Sequence, residues 1–327
     1  MRIYLKGYYG YKNFGDELLL FGVIEEIFSR YKVEELIIEV GNTDRIQERQ
    51  KKNQNFLNDF YSTRGVWIDR EKIKYFCPEE YFNKQHQIFQ KMPKKWNMYL
   101  NIILGNHPFK DSFKIFGGGE VIDESRDFPH NGWNILLLYM KTILKGNFAL
   151  WWGLGSQKKL LTKRLTNILV KKAKYLLLRE EHSLHICQYI LWKMSKKIEQ
   201  YHDFSFNLIE YWQSKEKNTT KDSILINLSP SLDLKKRNSI KWEVKGNNII
   251  YFPCDLNFDT KTIKEHGING EKKDIFIWTN YTLNEIFETL SQCKKGIGSR
   301  LHFLYCLQKI WKNITPISSN SKITYNL

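Results

Sequence analysis

Residues 6–20, KGYYGYKNFGDELLL, follow the first apolar run of the chain and lead into residues spaced for a helix. Leu20, Val23, Ile24, Ile27, Phe28 and Tyr31 recur at helical spacing, and Asn13 and Asp16 stand where a helix start is capped. The stretch therefore reads as the turn of a strand-to-helix unit. Glycines in such a turn allow a tight bend and can also bring backbone N–H groups close to an anionic ligand.

The same unit recurs downstream. ELIIEVG reads as the second strand, and residues 42–111 as one or two helices with a long loop. SFKIFGGG is a strand and turn, GWNILLLYMKTIL one buried helix, and FALWWGLGS another strand and turn. A basic helix over KKLLTKRLTNILVKKA leads to the strand YLLLRE and a helix from about Ser183. Alternation of this kind specifies a mostly parallel sheet covered by helices. The pattern lapses over 194–222, which predicts a boundary between an N-terminal domain, 1–195, and a short C-terminal domain, 196–327. The second half carries the strands SILINLSP, NNIIYFP, DIFIWT, KGIG and ITPIS, with helices over TLNEIFETLSQC and from RLHFLYCLQKI. The expected fold class is α/β, two Rossmann-like domains facing across a cleft.

Bulk properties narrow the function classes. The five cysteines, Cys77, Cys187, Cys254, Cys293 and Cys306, are scattered and form no CxxC pair, against a disulfide framework or a cysteine zinc site. The opening MRIYLKGYYG does not read as a signal peptide, and no apolar run approaches the roughly eighteen residues of a membrane span. The expected location is cytoplasmic. Lys and Arg number 51 against 35 Asp and Glu, a net charge of +16. Such a surface suits phosphorylated substrates or anionic lipid headgroups. Nucleic acid is not expected as a partner, since no RRM signature, zinc finger or basic zipper is present.

Chemistry concentrates at four strand-to-helix turns: the opening stretch, Gly117–Gly119, Gly153–Ser156 and the segment GSRLHF, 298–303. In open α/β sheets these are the carboxyl ends where ligands sit. Arg179 ends the strand YLLLRE. Arg300 and His302 pair a group that grips carboxylate or phosphate with one that exchanges a proton near neutrality. Two residues apart, they point the same way only where the segment is extended or turning.

GYYGYKNFGDELLL, IFGGGEVIDES, LLLREEHS and GSRLHFLYCLQ…ISSNSKI, in this order, resemble the polysaccharide pyruvyltransferase family. The resemblance implies two Rossmann-like domains arranged as in GT-B glycosyltransferases. It also implies transfer of a pyruvyl group from phosphoenolpyruvate onto sugar hydroxyls as a ketal. Phosphoenolpyruvate would be a donor substrate, with no further cofactor and no metal. The acceptor would be a cell-surface polysaccharide or its lipid-linked precursor. Carried over by position, His302 and Arg300 are the catalytic pair. Arg179, Lys322, Gly118, Gly119 and Ser229 bind the donor, and Tyr9, Asn13, Asp16 and Glu120 line the acceptor side of the cleft. Phosphoenolpyruvate bears a carboxylate and a phosphate, so the cations serve as anion clamps. Protonation of its methylene carbon falls to His302.

Two other readings fit the same pattern: a GT-B glycosyltransferase using a nucleotide sugar, and a catalytically silent scaffold in polysaccharide assembly. The basic clusters KKLLTKR and VKKAK further predict peripheral association with an anionic membrane surface.

Overall fold

The computed structural model describes residues 1–85, 94–105, 107–117, 122, 132–154, 159–191, 198–215, 222–240, 244, 247–267, 274–310, 312–319 and 323. Among them, strands form two sheets. The first holds β1 (Arg2–Lys6), β2 (Glu35–Glu39), β3 (Ile73–Phe76), β4 (Phe113–Gly117), β5 (Phe148–Trp152), β6 (Tyr175–Leu178) and β7 (Ile198–Gln200), in the order β3-β2-β1-β4-β5-β6-β7. All its pairings are parallel, with Ile3 opposite Leu36 on one side and Phe113 on the other. The second holds β8 (Ser223–Asn227), β9 (Asn248–Tyr251), β10 (Asp274–Ile275), β11 (Lys295–Gly298) and β12 (Asn313–Pro316), in the order β10-β9-β8-β11-β12 and again parallel.

Central strands of a helix-covered parallel sheet are buried on both faces, so they read as continuous apolar runs rather than alternating ones. FKIFG in β4 and SILIN in β8 are buried at every position. Lys114, in the middle of β4, satisfies its ammonium on the carbonyls of Phe109 (2.9 Å), Lys110 (3.2 Å) and Ser112 (3.0 Å).

The chain divides into two compact units: Met1–Gly10, Val23–Ile46 and Trp67–Asp203; and Tyr11–Gly22, Gln47–Val66 and Phe204–Leu327. This differs from a single cut at 195/196. β7 lies past that cut yet pairs with β6, Leu176 opposite Ile198. Two early segments belong to the second unit because buried groups tie them there. Arg49 pairs with Glu17 (3.2 Å), donates to the Tyr281 carbonyl (2.6 Å) and lies over the Trp278 ring. Asn53 Oδ1 accepts from Leu283 N at 2.6 Å, and Gly22 leaves no room for a Cβ against the Phe204 backbone. Removing Arg49 would leave Glu17 as a buried charge without its cation, at a cost of about 3–5 kcal/mol.

Two further expectations need correction. The region 42–111 contains β3 in addition to helices, a short edge strand whose polar flanks hid it. GWNILLLYMKTIL forms two helices, Trp133–Leu138 and Met140–Lys145, rather than one. The break falls at Tyr139 (φ −117°, ψ 25°), whose buried hydroxyl reaches the Tyr4 hydroxyl (3.3 Å) and Glu39 (3.5 Å). No helix among the described residues is long and apolar enough to cross a membrane.

Candidate active site

Strand order reverses between β1 and β4 in one sheet and between β8 and β11 in the other. A reversal point opens a crevice beyond the carboxyl ends of the strands, where ligands of open α/β sheets bind.

In the second unit several serine hydroxyls cluster at these strand ends. Asn227 ends β8 and Gly298 ends β11, so Ser229 and Ser299 follow side by side. Ser229 N donates to Ser299 Oγ at 2.7 Å, and Ser299 Oγ donates to the Asn227 carbonyl at 3.3 Å. The hydroxyls of Ser229 and Ser231 are 2.9 Å apart, and Ser318, just past β12, donates to Ser231 Oγ at 3.1 Å. Serine hydroxyls rotate and can redirect a proton toward an anion.

Arg300 is next in the chain. Its backbone is extended (φ −109°, ψ 131°) and caps the helix Leu301–Lys309. The guanidinium grips Asp259 through Nε and Nη2, with Nη2 2.6 Å from Oδ1, and Nη2 stands 3.9 Å from Asp255 Oδ2. Asp259 is fully buried and also accepts from Asn227 Nδ2 and the Asp255 N–H, both at 3.1 Å. Burial works against the Arg300 charge, but the Asp259 carboxylate overrides it and holds the guanidinium more firmly protonated than usual. Asp255 is in the opposite position. Burial pushes its carboxyl up, against Arg300 and the Asn257 and Phe258 N–H groups that favour its charge.

His302 lies in the first turn of the same helix, half-buried, with its ring edge-on to Tyr305. Its imidazole covers Gly15 so closely that a Cβ there would run into Cγ and Nδ1. Gly15 N donates to Asn13 Oδ1 (3.1 Å) at the start of the helix Phe14–Arg30, and Asp16 occupies the first turn of that helix. The loop before it runs beside 254–256. Phe14 N donates to the Cys254 carbonyl (2.8 Å), Leu256 N to the Lys12 carbonyl (3.1 Å), and Asn13 bridges Asp255. Phe14 anchors the arrangement, its ring 5.2 Å from Phe252 and 5.6 Å from Trp278. Lys12 pays for this path with a left-handed backbone (φ 63°).

The second unit thus holds Asn13, Ser229 and the pair Arg300 and His302, which stand far apart in the sequence. It adds Asp255, Asp259 and Ser299, which sequence reasoning missed. The available signal was CDLNFD: two aspartates four apart, directly after a strand. Without a glycine, that turn resembled a plain loop.

The first unit is organised differently. Tyr9, expected on the acceptor side, is fully buried: its ring lies against Gly7 and its hydroxyl donates to the Gly117 carbonyl at 3.1 Å. It braces the turns after β1 and β4 and presents no surface to an acceptor. Arg179 is held between Glu180 and Asp203, the latter at 2.9 Å, with its side chain 9% exposed. Ser183 Oγ accepts from Leu154 N at 2.7 Å and donates to Glu180, and Gly153 leaves room for the Glu180 carboxylate. Gly118, Gly119, Glu120 and Lys322 lie outside the described residues. Among the described residues no group of three His, Cys, Asp or Glu side chains is placed to hold a metal ion.

Residues 13–306 match the family model described as polysaccharide pyruvyl transferase. No curated protein matches the chain. Among solved structures, UDP-GlcNAc 2-epimerase from Neisseria meningitidis bound to UDP-GlcNAc superposes with a TM-score of 0.59 at 8% identity, covering 98% of this chain and 83% of that one. UDP-N-acetylglucosamine 2-epimerase from Rickettsia bellii gives 0.58 at 12%, covering 98% and 79%. The Methanocaldococcus jannaschii UDP-GlcNAc 2-epimerase in complex with UDP-GlcNAc and UDP gives 0.55 at 11%, covering 96% and 83%. At such identities the likeness is one of fold, and the fold is GT-B-like with parallel sheets.

Proposed function

The chain belongs to the polysaccharide pyruvyl transferase family, and from that premise we propose that it moves a pyruvyl group from phosphoenolpyruvate onto two hydroxyls of a sugar, forming a ketal. The acceptor is a cell-surface polysaccharide or its lipid-linked precursor. The observation that carries this reading is the meeting of His302, Gly15 and Arg300 beside the serine hydroxyls at the carboxyl ends of β8, β11 and β12.

The donor presents a carboxylate, a phosphate and an enol double bond. Arg300 and the hydroxyls of Ser229 and Ser299 supply a cation and rotatable donors for its anionic groups, with Lys322, Gly118 and Gly119 proposed to complete the site. His302 delivers a proton to the methylene carbon as one sugar hydroxyl adds at C2, and that hydroxyl's proton replaces the one delivered. The second hydroxyl then attacks C2, the C2–O bond to phosphate breaks, and the remaining proton leaves with the phosphate. His302 is half-buried and packed on Gly15, so its ring has little freedom left to lose when substrate binds. Asp259 holds Arg300 in place, and Asn13 shapes the turn that Gly15 presents to His302.

The test is incubation of the purified chain with phosphoenolpyruvate and a panel of glycans and lipid-linked sugars. Phosphate release together with acceptor mass rising by pyruvate less one water is the expected result. No phosphate release across the panel, with no donor binding by calorimetry, would sink the reading. Thermal stabilisation by UDP but not by phosphoenolpyruvate would favour a nucleotide-sugar transferase instead.

A further inference from the structure

From Gly132 to Leu178 the chain carries nine Lys or Arg residues and no Asp or Glu, more than half of its net charge of +16. In the first unit much of this segment folds into the helices Trp133–Leu138, Met140–Lys145 and Leu160–Lys172, which pack side by side. Their inward residues, among them Leu138, Ile143, Leu165 and Leu169, join the core of that unit. The outward residues are not the polar set expected of a solvated face. Leu144, Leu160 and Leu161 are 65%, 63% and 62% exposed, and Met140 is 49% exposed. Lys141, Lys145, Lys163 and Arg164 are exposed among them.

Scattered exposed apolar residues are ordinary, but several large aliphatics on packed neighbouring helices, flanked by bases and without a single acid, mark an interaction surface. We propose that this face docks the protein on an anionic lipid bilayer, the lysines and arginine meeting headgroup phosphates while Met140, Leu144, Leu160 and Leu161 enter the boundary with the acyl chains. Charge complementarity selects this occupant. A second copy of the chain would set like charges against like. Nucleic acid would satisfy the bases, but stacking on single strands uses aromatic rings, and the exposed apolar side chains of these three helices are leucine, isoleucine and methionine. A basic face with aliphatic residues at its outer edge is the pattern of helices lying in a membrane interface. The proposed function supplies a purpose, delivery to a lipid-linked acceptor, but docking needs neither donor nor glycan and is tested without them.

The experiment is flotation of the full chain with phosphatidylcholine vesicles with and without phosphatidylglycerol, at low and high salt. Binding is expected only with the anionic lipid at low salt. Lys163→Glu with Arg164→Glu should lower partitioning by at least about 25-fold, since each base near an anionic surface is worth roughly fivefold. Leu160→Ser with Leu161→Ser should lower it by roughly tenfold at unchanged charge. All four sites are exposed, so melting temperatures should match the wild type. No flotation with anionic vesicles at low salt overturns the proposal, as does flotation that neither variant reduces. A leucine variant that loses self-association while floating like the wild type overturns it in favour of a second copy.

Discussion

Arg179 and Arg300 mark the carboxyl edges of the two sheets, and the family resemblance expects both to clamp anionic groups of the donor, yet the structure holds them differently. Arg179 sits between Glu180 and Asp203 with its side chain 9% exposed, in the segment that links β6 to β7. Arg300 rests on Asp259 through one edge of its guanidinium and is 29% exposed, beside rotatable serine hydroxyls. The first is a charge balanced by two carboxylates for the sake of the fold. The second is gripped by one buried carboxylate, Asp259, with Asp255 farther off at 3.9 Å, and its side chain is more exposed than that of Arg179. An arginine between carboxylates must exchange partners before it can bind an anion, whereas one anchored along an edge need not.

The contrast can be broken or sharpened by substitution. The largest effect is expected at His302, which shares a helix start with Arg300. His302→Gln should lower turnover by roughly 10²–10⁴-fold while donor affinity and melting temperature stay close to wild type. Unaltered turnover would remove the proton donor from this side of the comparison.

Arg179→Ala should cost about 3–5 kcal/mol of stability, because Glu180 and Asp203 are left as buried charges without their cation. Denaturant titration measures it. Arg300→Ala should weaken phosphoenolpyruvate binding in calorimetry and lower turnover together, since the clamp acts in ground and transition states alike. If Arg179→Ala were as stable as wild type and lost donor binding instead, the contrast would be reversed.

Gly15→Ala tests the contact that joins the opening turn to His302. A methyl group there displaces the imidazole, and a misplacement near 1 Å costs on the order of 10²-fold in turnover. Turnover equal to wild type would mean that the ring position does not matter.

The smallest effect concerns pH. Burial raises the Asp255 carboxyl above its ordinary value, so between that value and the raised one the folded state holds a proton the unfolded state has lost. Stability from this group therefore falls as pH rises through the window and is greater on the acid side. Asp255→Asn should flatten that segment of the stability–pH curve. A curve unchanged by the substitution would show that Arg300 already cancels the burial.

Much of this was legible in the chain. Apolar runs such as IYL, LIIE and FKIFG could be nothing but buried parallel strands, and Asn13 stood at a helix start where its side chain accepts from Gly15 N. The handover from a strand ending in glycine directly to a helix was readable in GSRLHF, the segment that holds Arg300 and His302. Tyr9 was misplaced: a tyrosine in a glycine-rich turn looks exposed from sequence, and only the facing Gly117 carbonyl shows that its ring is buried. β3 and β7 escaped because edge strands are short and half-polar, and the sheet supplies the pairing that the local pattern lacks.

The sequence by itself determined the α/β alternation and the parallel sheets, which follow from periodicity and local turn chemistry acting over a few residues, and four ordered motifs carried the resemblance to the family. The tertiary structure alone decided that residues 11–22 and 47–66 join the second unit, that Gly15 lies under His302, and that Asp259 anchors Arg300. Each depends on groups more than forty positions apart that meet only once the sheets have formed. A buried charge takes the partner that folding brings to it, and spacing along the chain does not encode which one that will be.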